Sequence, residues 1–522
     1  MLRRLFSKRY IRILLWLFIT FVTLVVLLYA WTNWSGRRRW AATKAMLERE
    51  GETLDFRKLL PETPPDAQNL LAIEPLRGIT EAIDHDESKG APGAKRRAVE
   101  KMQWEGKAPV SSGVETGEVA DMQAWVKFLR EAKYLDLPEE SSKPGKDVLT
   151  ALDATFPLLK QLADLAPQRR AAIFTPGLRE RELPEMLFSL SLRHYTAEQT
   201  LTRALCLRAR AAIDARQGAE AARCLLAAEK MGLGCAAEPL LIGFLVGNAT
   251  KAMTNEGIWL GLRENVFAEE DLRMLYQTLG THNLDKTLLQ AFRGEMATGL
   301  NALEYLQEVA GGRKKPGKDV ADAIANLKGL SLNGFRALPG GLFDHWKSVT
   351  AEQEWKHIIA PLQTGGIAAA VKSADGISED LNAKQNFLLH PDYIMARMVV
   401  PAFIGISKSA LFVQARERQV LAAIALERFY LKHAKYPAAL QELVPEFATS
   451  VPLDPSDGKE VRYHTTPAGR YMLWCVGFDG KDDGGQIKKN TRTMKNPDYL
   501  GDWTWQYEPV PVKEPTDTEK SR

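Results

Sequence analysis

The most distinctive pattern of apolar and polar positions in this chain lies at its start, where an uncharged run extends from Ile13 to Ala30, ILLWLFITFVTLVVLLYA. As a helix its eighteen residues span about 27 Å, close to the ~30 Å hydrocarbon thickness of a bilayer. Trp16 near one end and Tyr29, Trp31 and Trp34 near the other suit the two water interfaces, where an amphipathic ring keeps its polar edge wet. The run predicts a transmembrane helix over 13–31. A cleaved signal peptide is the alternative, but its apolar core is usually ~7–15 residues and is followed by a small-x-small site, which is missing here.

Beyond this run the spacing is helical for most of the chain. AATKAMLEREG, from Ala41, reads as a helix that Gly51 can end, within a juxtamembrane segment 40–83 in which PETPP at 61–65 excludes helix. Residues 84–119 turn polar and rich in Gly, Lys and Glu, and read as a linker. Over 120–407 an α-helical, solenoid-like body is expected. It contains a helical hairpin between Leu201 and Gly234, broken at Gln217-Gly218, and further helices at 237–262, 268–280 and 285–310. Gly243 and Gly247 in PLLIGFLVG are expected to let helices approach closely. The motif Lys-Pro-Gly-Lys-Asp-Val occurs at 143–148 and again at 315–320, read each time as a Pro-Gly turn with Asp147 or Asp319 capping the next helix.

A last helix is expected at 408–434, with Val413, Val420, Ile424 and Leu431 on one apolar face and Arg416, Arg418 and Lys432 away from it. After His433 the pattern shortens to strands, Val461 to Tyr463 and Tyr471 to Val476, separated by Pro and Asp-Gly turns. This makes 408–510 a small α+β unit, and 511–522 a frayed tail. The fold class expected is mainly α.

Composition agrees with a folded protein: 45% hydrophobic and 26% charged residues exclude a polytopic membrane protein and a disordered chain. The net charge of +4 hides an asymmetry. Residues 1–39 carry eight basic side chains and no acid, which leaves 61 basic against 65 acidic residues elsewhere. No global basic patch for nucleic acid follows. A short tail with five positive charges, residues 1–12, resists translocation, whereas a long domain crosses largely regardless of charge. The N-terminus is therefore expected in the cytoplasm and the bulk of the chain outside the inner membrane, in the periplasm of a bacterial cell. Cys206, Cys224, Cys235 and Cys475 lack CxxC spacing and read as buried thiols, with a Cys224 to Cys235 bridge as the other possibility.

Chemistry is sparse. Gly312-x4-Gly317-Lys318 imitates a phosphate-binding loop, but Asp319 stands where Ser or Thr should hold magnesium, so no nucleotide is expected. Glu354 and His357 can share a helix face, as di-metal bundles require, yet no second Glu-x-x-His exists and a surface pair is expected. The informative segment is Asp479-Gly-Lys-Asp482-Asp483-Gly-Gly. Its three carboxylates repel one another unless a cation sits among them, and calcium accepts such irregular oxygen loops. A solvated acidic turn is the alternative.

Residues 408–507 together resemble the globular domain of the major pseudopilin of type II secretion. The resemblance rests on a long helix leading into Tyr436-Pro437, then Leu443-Val444-Pro445, Val451-Pro452-Leu453-Asp454-Pro455, and the strand from Tyr471 entering Gly477-Phe478-Asp479-Gly480-Lys481-Asp482-Asp483-Gly484-Gly485, closed by Asp502-Trp503. It implies a structural calcium held by Asp479, Asp482, Asp483 and Asp502. The processing site and mature Glu of that family are missing before the apolar run, which excludes a conventional filament subunit. The expected function is a membrane-anchored extracytoplasmic scaffold or interaction protein, bound to the bilayer through 13–31 and to partner proteins, in secretion or envelope assembly. An extracytoplasmic enzyme, a hydrolase with a site assembled from distant helices, is the alternative.

Overall fold

A computed structural model describes residues 8–77, 94–109, 113–173, 193–315, 334, 336–384, 386, 389–486 and 501–508. Helix α1, Lys8–Arg49, runs 42 residues without a break. From Tyr10 to Trp31 all its residues are exposed, an apolar surface that meets the body near its end, where Tyr29 Oη donates to Leu338 O at 3.1 Å. Its second half is different. Gly36, Thr43 and Leu47 are buried, and the helix stops where Gly51, at φ +80°, lets the Glu52 amide donate to Leu47 O at 2.9 Å.

The other principal helices are α2 (Met122–Glu131), α3 (Pro144–Thr155), α4 (Pro157–Leu165), α5 (Arg193–Asp214), α6 (Gly218–Ala237), α7 (Leu241–Arg263) and α8 (Glu269–Gly280). They continue with α9 (Leu284–Ala310), α10 (Gly340–Glu354), α11 (Ala360–Ala383) and α12 (Ile394–His433). The chain is thus mainly helical, as its periodicity predicts. Gln217-Gly218 does break the hairpin between α5 and α6. Gly243 and Gly247 do bring α7 onto α6: an added Cβ would lie 2.6 Å from Cys235 O or from Gly232 O.

Several expectations change. Pro144 is the first residue of α3 and Gly145 the second, so the Pro-Gly pair begins the helix instead of making a turn. Asp147 lies inside that first turn, accepting from Ser141 Oγ, and does not cap it. In the second copy, residues 316–320 lie outside the described residues, as do 1–7 of the basic tail and the tail from 509. The segment read as a linker holds the short helix Ala94–Glu100 and buries Val99, Met102 and Val114 in the main core, while 84–93 and 110–112 lie outside the described residues.

Helix α12 begins fourteen residues before 408 and contains Pro401. It packs against α7, α8, α10 and α11, elements far apart in sequence. Val420 and Ile424 are buried, but Leu431 is 54% exposed, and Arg416 is buried at 7% exposure. The reason is the sheet. Strands β1 (Arg462–Thr465), β2 (Tyr471–Cys475) and β3 (Trp503–Trp505) form an antiparallel sheet in that order, with Tyr463 opposite Leu473 and Trp474 opposite Thr504. β3 is an edge strand whose outer carbonyls need donors. Arg416 Nη1 donates to Thr504 O at 2.6 Å, and Gln419 Nε2 to Trp503 O at 2.5 Å. Arg416 also pairs with Glu115 at 3.0 Å. A buried guanidinium is stable here because its donors are met. The sheet and the helical body therefore share one hydrophobic core. All four cysteines are free thiols.

Candidate functional site

The acidic loop leaves β2 through Val476 and Gly477, which has φ +64° and sits so close to Gly501 O that a Cβ would lie 2.3 Å from it. This contact brings the loop over the start of β3. Asp502 there is 4% exposed and is the loop's internal anchor. Its Oδ2 accepts from the amides of Asp483 at 3.0 Å and Gly485 at 2.7 Å. Its Oδ1 is buried with no hydrogen-bond partner among the described residues. Burial, joined by the charges of Asp482 and Asp483 and partly offset by those amides, pushes the Asp502 carboxyl up to about 6.

The other predicted residues divide. Asp482 Oδ1 accepts from Trp474 Nε1 at 2.9 Å and from the Gly484 amide at 3.0 Å, while Oδ2 lies 3.5 Å from Arg462 Nε. The Trp474 hydrogen bond, with smaller help from Gly484 and Arg462, holds its carboxyl below the usual range. Asp479 turns to the Lys481 amide at 3.1 Å, a local turn contact. The fold therefore gathers Asp482 and Asp483 around Asp502 and leaves Asp479 at the rim. Among the described residues, no three His, Cys, Asp or Glu side chains stand close enough together to hold a metal ion. The orphan oxygen and raised proton affinity of Asp502 suit a cation. Asp482 suits it less, because Arg462, which also pairs with Asp454 at 2.6 Å and Asp457 at 2.5 Å, already supplies positive charge. Sequence reading missed Arg462, since nothing in its spacing announces that it turns inward.

A second polar cluster was not anticipated. Glu354 and His357, expected on the surface, are 4% and 8% exposed, and the chain from Trp355 to Ile359 is a π-helical turn between α10 and α11. Such turns recur at functional positions. Burial, with Glu295 of α9 as a second cause, pushes the Glu354 carboxyl up to about 8. Glu295, whose carboxylate accepts from the Leu241 amide at 3.4 Å, is itself raised by burial. Glu238, between α6 and α7, accepts from Tyr195 Oη and lies 3.3 Å from His194 Nε2. Glu198 on α5 is 2% exposed, its Oε2 has no partner among the described residues, and burial followed by the Glu238 charge raises its carboxyl well above the usual range. Four separate segments supply these acids, so no local motif could have revealed them.

A third buried network is fully paired. Lys251 of α7 lies 2.7 Å from Glu229 and 2.6 Å from Glu417, which His282 Nδ1 also meets at 2.6 Å. Burial would raise Glu417, but Lys251 and His282 outweigh it and hold its carboxyl down at about 2. The network ties α6, α7 and α12 together. Of the phosphate-loop imitation, Gly317 and Lys318 lie outside the described residues. Comparison of the chain with family models, with curated proteins and with solved structures finds no match.

Proposed function

We propose that the chain is a single-pass, membrane-anchored scaffold or interaction protein, linked to secretion or envelope assembly, with its N-terminal tail in the cytoplasm and its bulk outside. The observation that carries this reading is the continuity of α1. The apolar half is exposed from Tyr10 to Trp31, and the same helix then enters the body as a structural member. Gly36 meets Gly341 so closely that a Cβ on either would lie 2.1 Å from the partner helix's backbone. Arg39 pairs with Glu352 at 2.9 Å and Asp392 at 3.1 Å, and Thr43 donates to Glu352 at 2.6 Å. Cleavage after the apolar run would cut a helix that the body uses, which favours a retained anchor over a signal sequence. Such a junction holds the body at a fixed pose on the bilayer, a property that suits positioning of partners.

The successive helices α5, α6 and α7 support the solenoid-like part of the reading, and the order α12, Tyr436-Pro437, three-stranded sheet supports the pseudopilin-like part. A recess of about 370 Å³ at the seam between α7 and the β1–β2 turn, lined by Tyr430, Leu431, Tyr436 and Arg470, offers a partner an apolar hold. A calcium ion on the acidic loop would rest on Asp502, and Asp483, Asp482 and Asp479 would have to move toward it to complete the set, since no three of these acids now stand close enough to share an ion. It would neutralise the acids and tie the loop to β3. Melting of the full chain tests this: calcium should raise the midpoint relative to chelator, and Asp502→Asn should abolish the difference. An equal calcium effect in the variant removes the site. For topology, a periplasm-active reporter fused after Arg522 should be active, and an inactive one overturns the orientation.

The second reading, a hydrolase with a site assembled from distant helices, is favoured by the buried acids Glu198, Glu238 and Glu354 and the half-buried Glu295. Glu198→Gln separates the two. Full complementation of a deletion strain favours the scaffold; lost complementation with the protein still folded and membrane-bound favours the enzyme.

A further inference from the structure

The foot of the anchor presents a face that, among the described residues, meets the body only at its edge, where Asn33 Oδ1 accepts from the Gly341 amide at 2.7 Å. Ala30, Asn33, Trp34, Arg37 and Arg38 follow the i, i+3, i+4, i+7, i+8 spacing of one helix side and line an open recess of about 560 Å³. Arg37 and Arg38 are exposed, and among the described residues no carboxylate pairs with either. Arg39, the next residue, points the other way and is paired with Glu352 and Asp392. The three consecutive arginines thus divide into one that fastens α1 to the body and two that have no counter-charge among the described residues. The Arg38 guanidinium lies 5.6 Å from the centre of the Trp34 ring, and Trp34 packs on Trp31 at 5.2 Å.

Depth in the bilayer identifies the missing counter-charge. Arg37 lies six residues past Trp31, about 9 Å of helix rise, while the headgroup layer is roughly 5–7 Å thick on each side. Side chains on a helix lean toward its N-terminus, which here is toward the bilayer, and Arg38 stacking back on Trp34 has that direction. Both guanidinium groups therefore reach the phosphate level. A guanidinium fork matches phosphate oxygens bidentately.

We infer that Ala30, Asn33, Trp34, Arg37 and Arg38 form a site for the phosphate headgroup of an anionic phospholipid, on the side of the membrane that carries the body. The site rests on the anchor reading and adds to it a lipid class and the residues that select it. It would fix the rotation of α1 about its axis, and through the α1–α10 junction the facing of the body.

Native mass spectrometry of the detergent-solubilised full chain, titrated with phosphatidylglycerol or phosphatidylcholine, is the test. The wild type should retain phosphatidylglycerol in preference. Each arginine near a charged headgroup is worth about fivefold in affinity, so R37Q/R38Q together should lower that preference by about thirtyfold. Because both side chains are exposed, the melting midpoint should stay unchanged, and R39Q serves as the contrast that lowers the midpoint. Equal retention of the two lipids by the wild type, or undiminished phosphatidylglycerol preference in R37Q/R38Q, overturns the site. Displacement of the lipid by millimolar inorganic phosphate would show a free-phosphate site and also overturns the lipid assignment; no displacement supports it. Alkaline extraction of membranes is run in parallel. A chain that stays in the membrane without lipid preference refutes this site alone, whereas a chain released by alkali refutes the anchor itself.

Discussion

The sharpest consequence of the buried acids concerns Glu354. Its carboxyl is 4% exposed and pushed from 4.5 to about 8, first by burial and then by Glu295. Below pH 4.5 both folded and unfolded chains hold the proton, and the residue contributes no pH dependence. Between 4.5 and 8 the folded chain keeps a proton that the unfolded chain has released, so stability falls as pH rises. The slope is about 1.4 kcal/mol per pH unit, giving about 4 kcal/mol between pH 5 and pH 8 as an upper bound. Above 8 the folded chain ionises too and the loss levels off. Glu354→Gln keeps the shape and removes the ionisation. With an unfolding entropy near 2.1 cal/mol/K per residue, a chain of this size shifts its midpoint by about 1 °C per kcal/mol. The assay is the midpoint of wild type and Glu354→Gln at pH 5, 6, 7 and 8. The amide's own packing cost is the same at every pH, so the informative quantity is the gap between the two proteins. That gap should move in favour of the variant by up to about 4 °C from pH 5 to pH 8. A gap constant within 1 °C over this range would refute a neutral buried Glu354.

Other consequences follow from contacts elsewhere. Gly36→Leu drives a side chain into the backbone of α10, 2.1 Å from where its Cβ would start, and should cost about 1–3 kcal/mol, read as a lower midpoint and faster proteolysis near Gly51. Lys251→Met leaves Glu229 and Glu417 buried without their shared cation and should cost about 3–5 kcal/mol at pH 7. Glu417, held down at about 2, contributes stability that is complete above its ordinary value of 4.5 and is lost as pH falls toward 2. Glu417→Gln should accordingly destabilise strongly at pH 7 and much less at pH 3, measured by denaturant titration; equal losses at both would contradict the depressed value.

Sequence and structure agree where local chemistry decides. The break at Gln217-Gly218, the end of α1 at Gly51 and the close approach at Gly243 and Gly247 are all written in residues whose backbone freedom or small size leaves one solution. Agreement fails where a distant partner decides. Arg416 looks like a solvent residue until the edge carbonyls of β3, some ninety positions away, require its donors. Glu198, Glu238 and Glu354 resemble ordinary surface acids, and only packing of distant segments buries them and brings the half-buried Glu295 beside Glu354. In the acidic loop, the glycines announce the tight backbone around Asp482 and Asp483, whereas the approach of Asp502 came only from the family resemblance and the intrusion of Arg462 from nothing local.

The membrane anchor is tested most directly by the intact mass of the protein recovered from alkali-washed membranes. A retained α1 gives the full 58.2 kDa chain in the membrane pellet. A shorter chain beginning after the apolar run, or recovery of the protein in the alkaline wash, would contradict it.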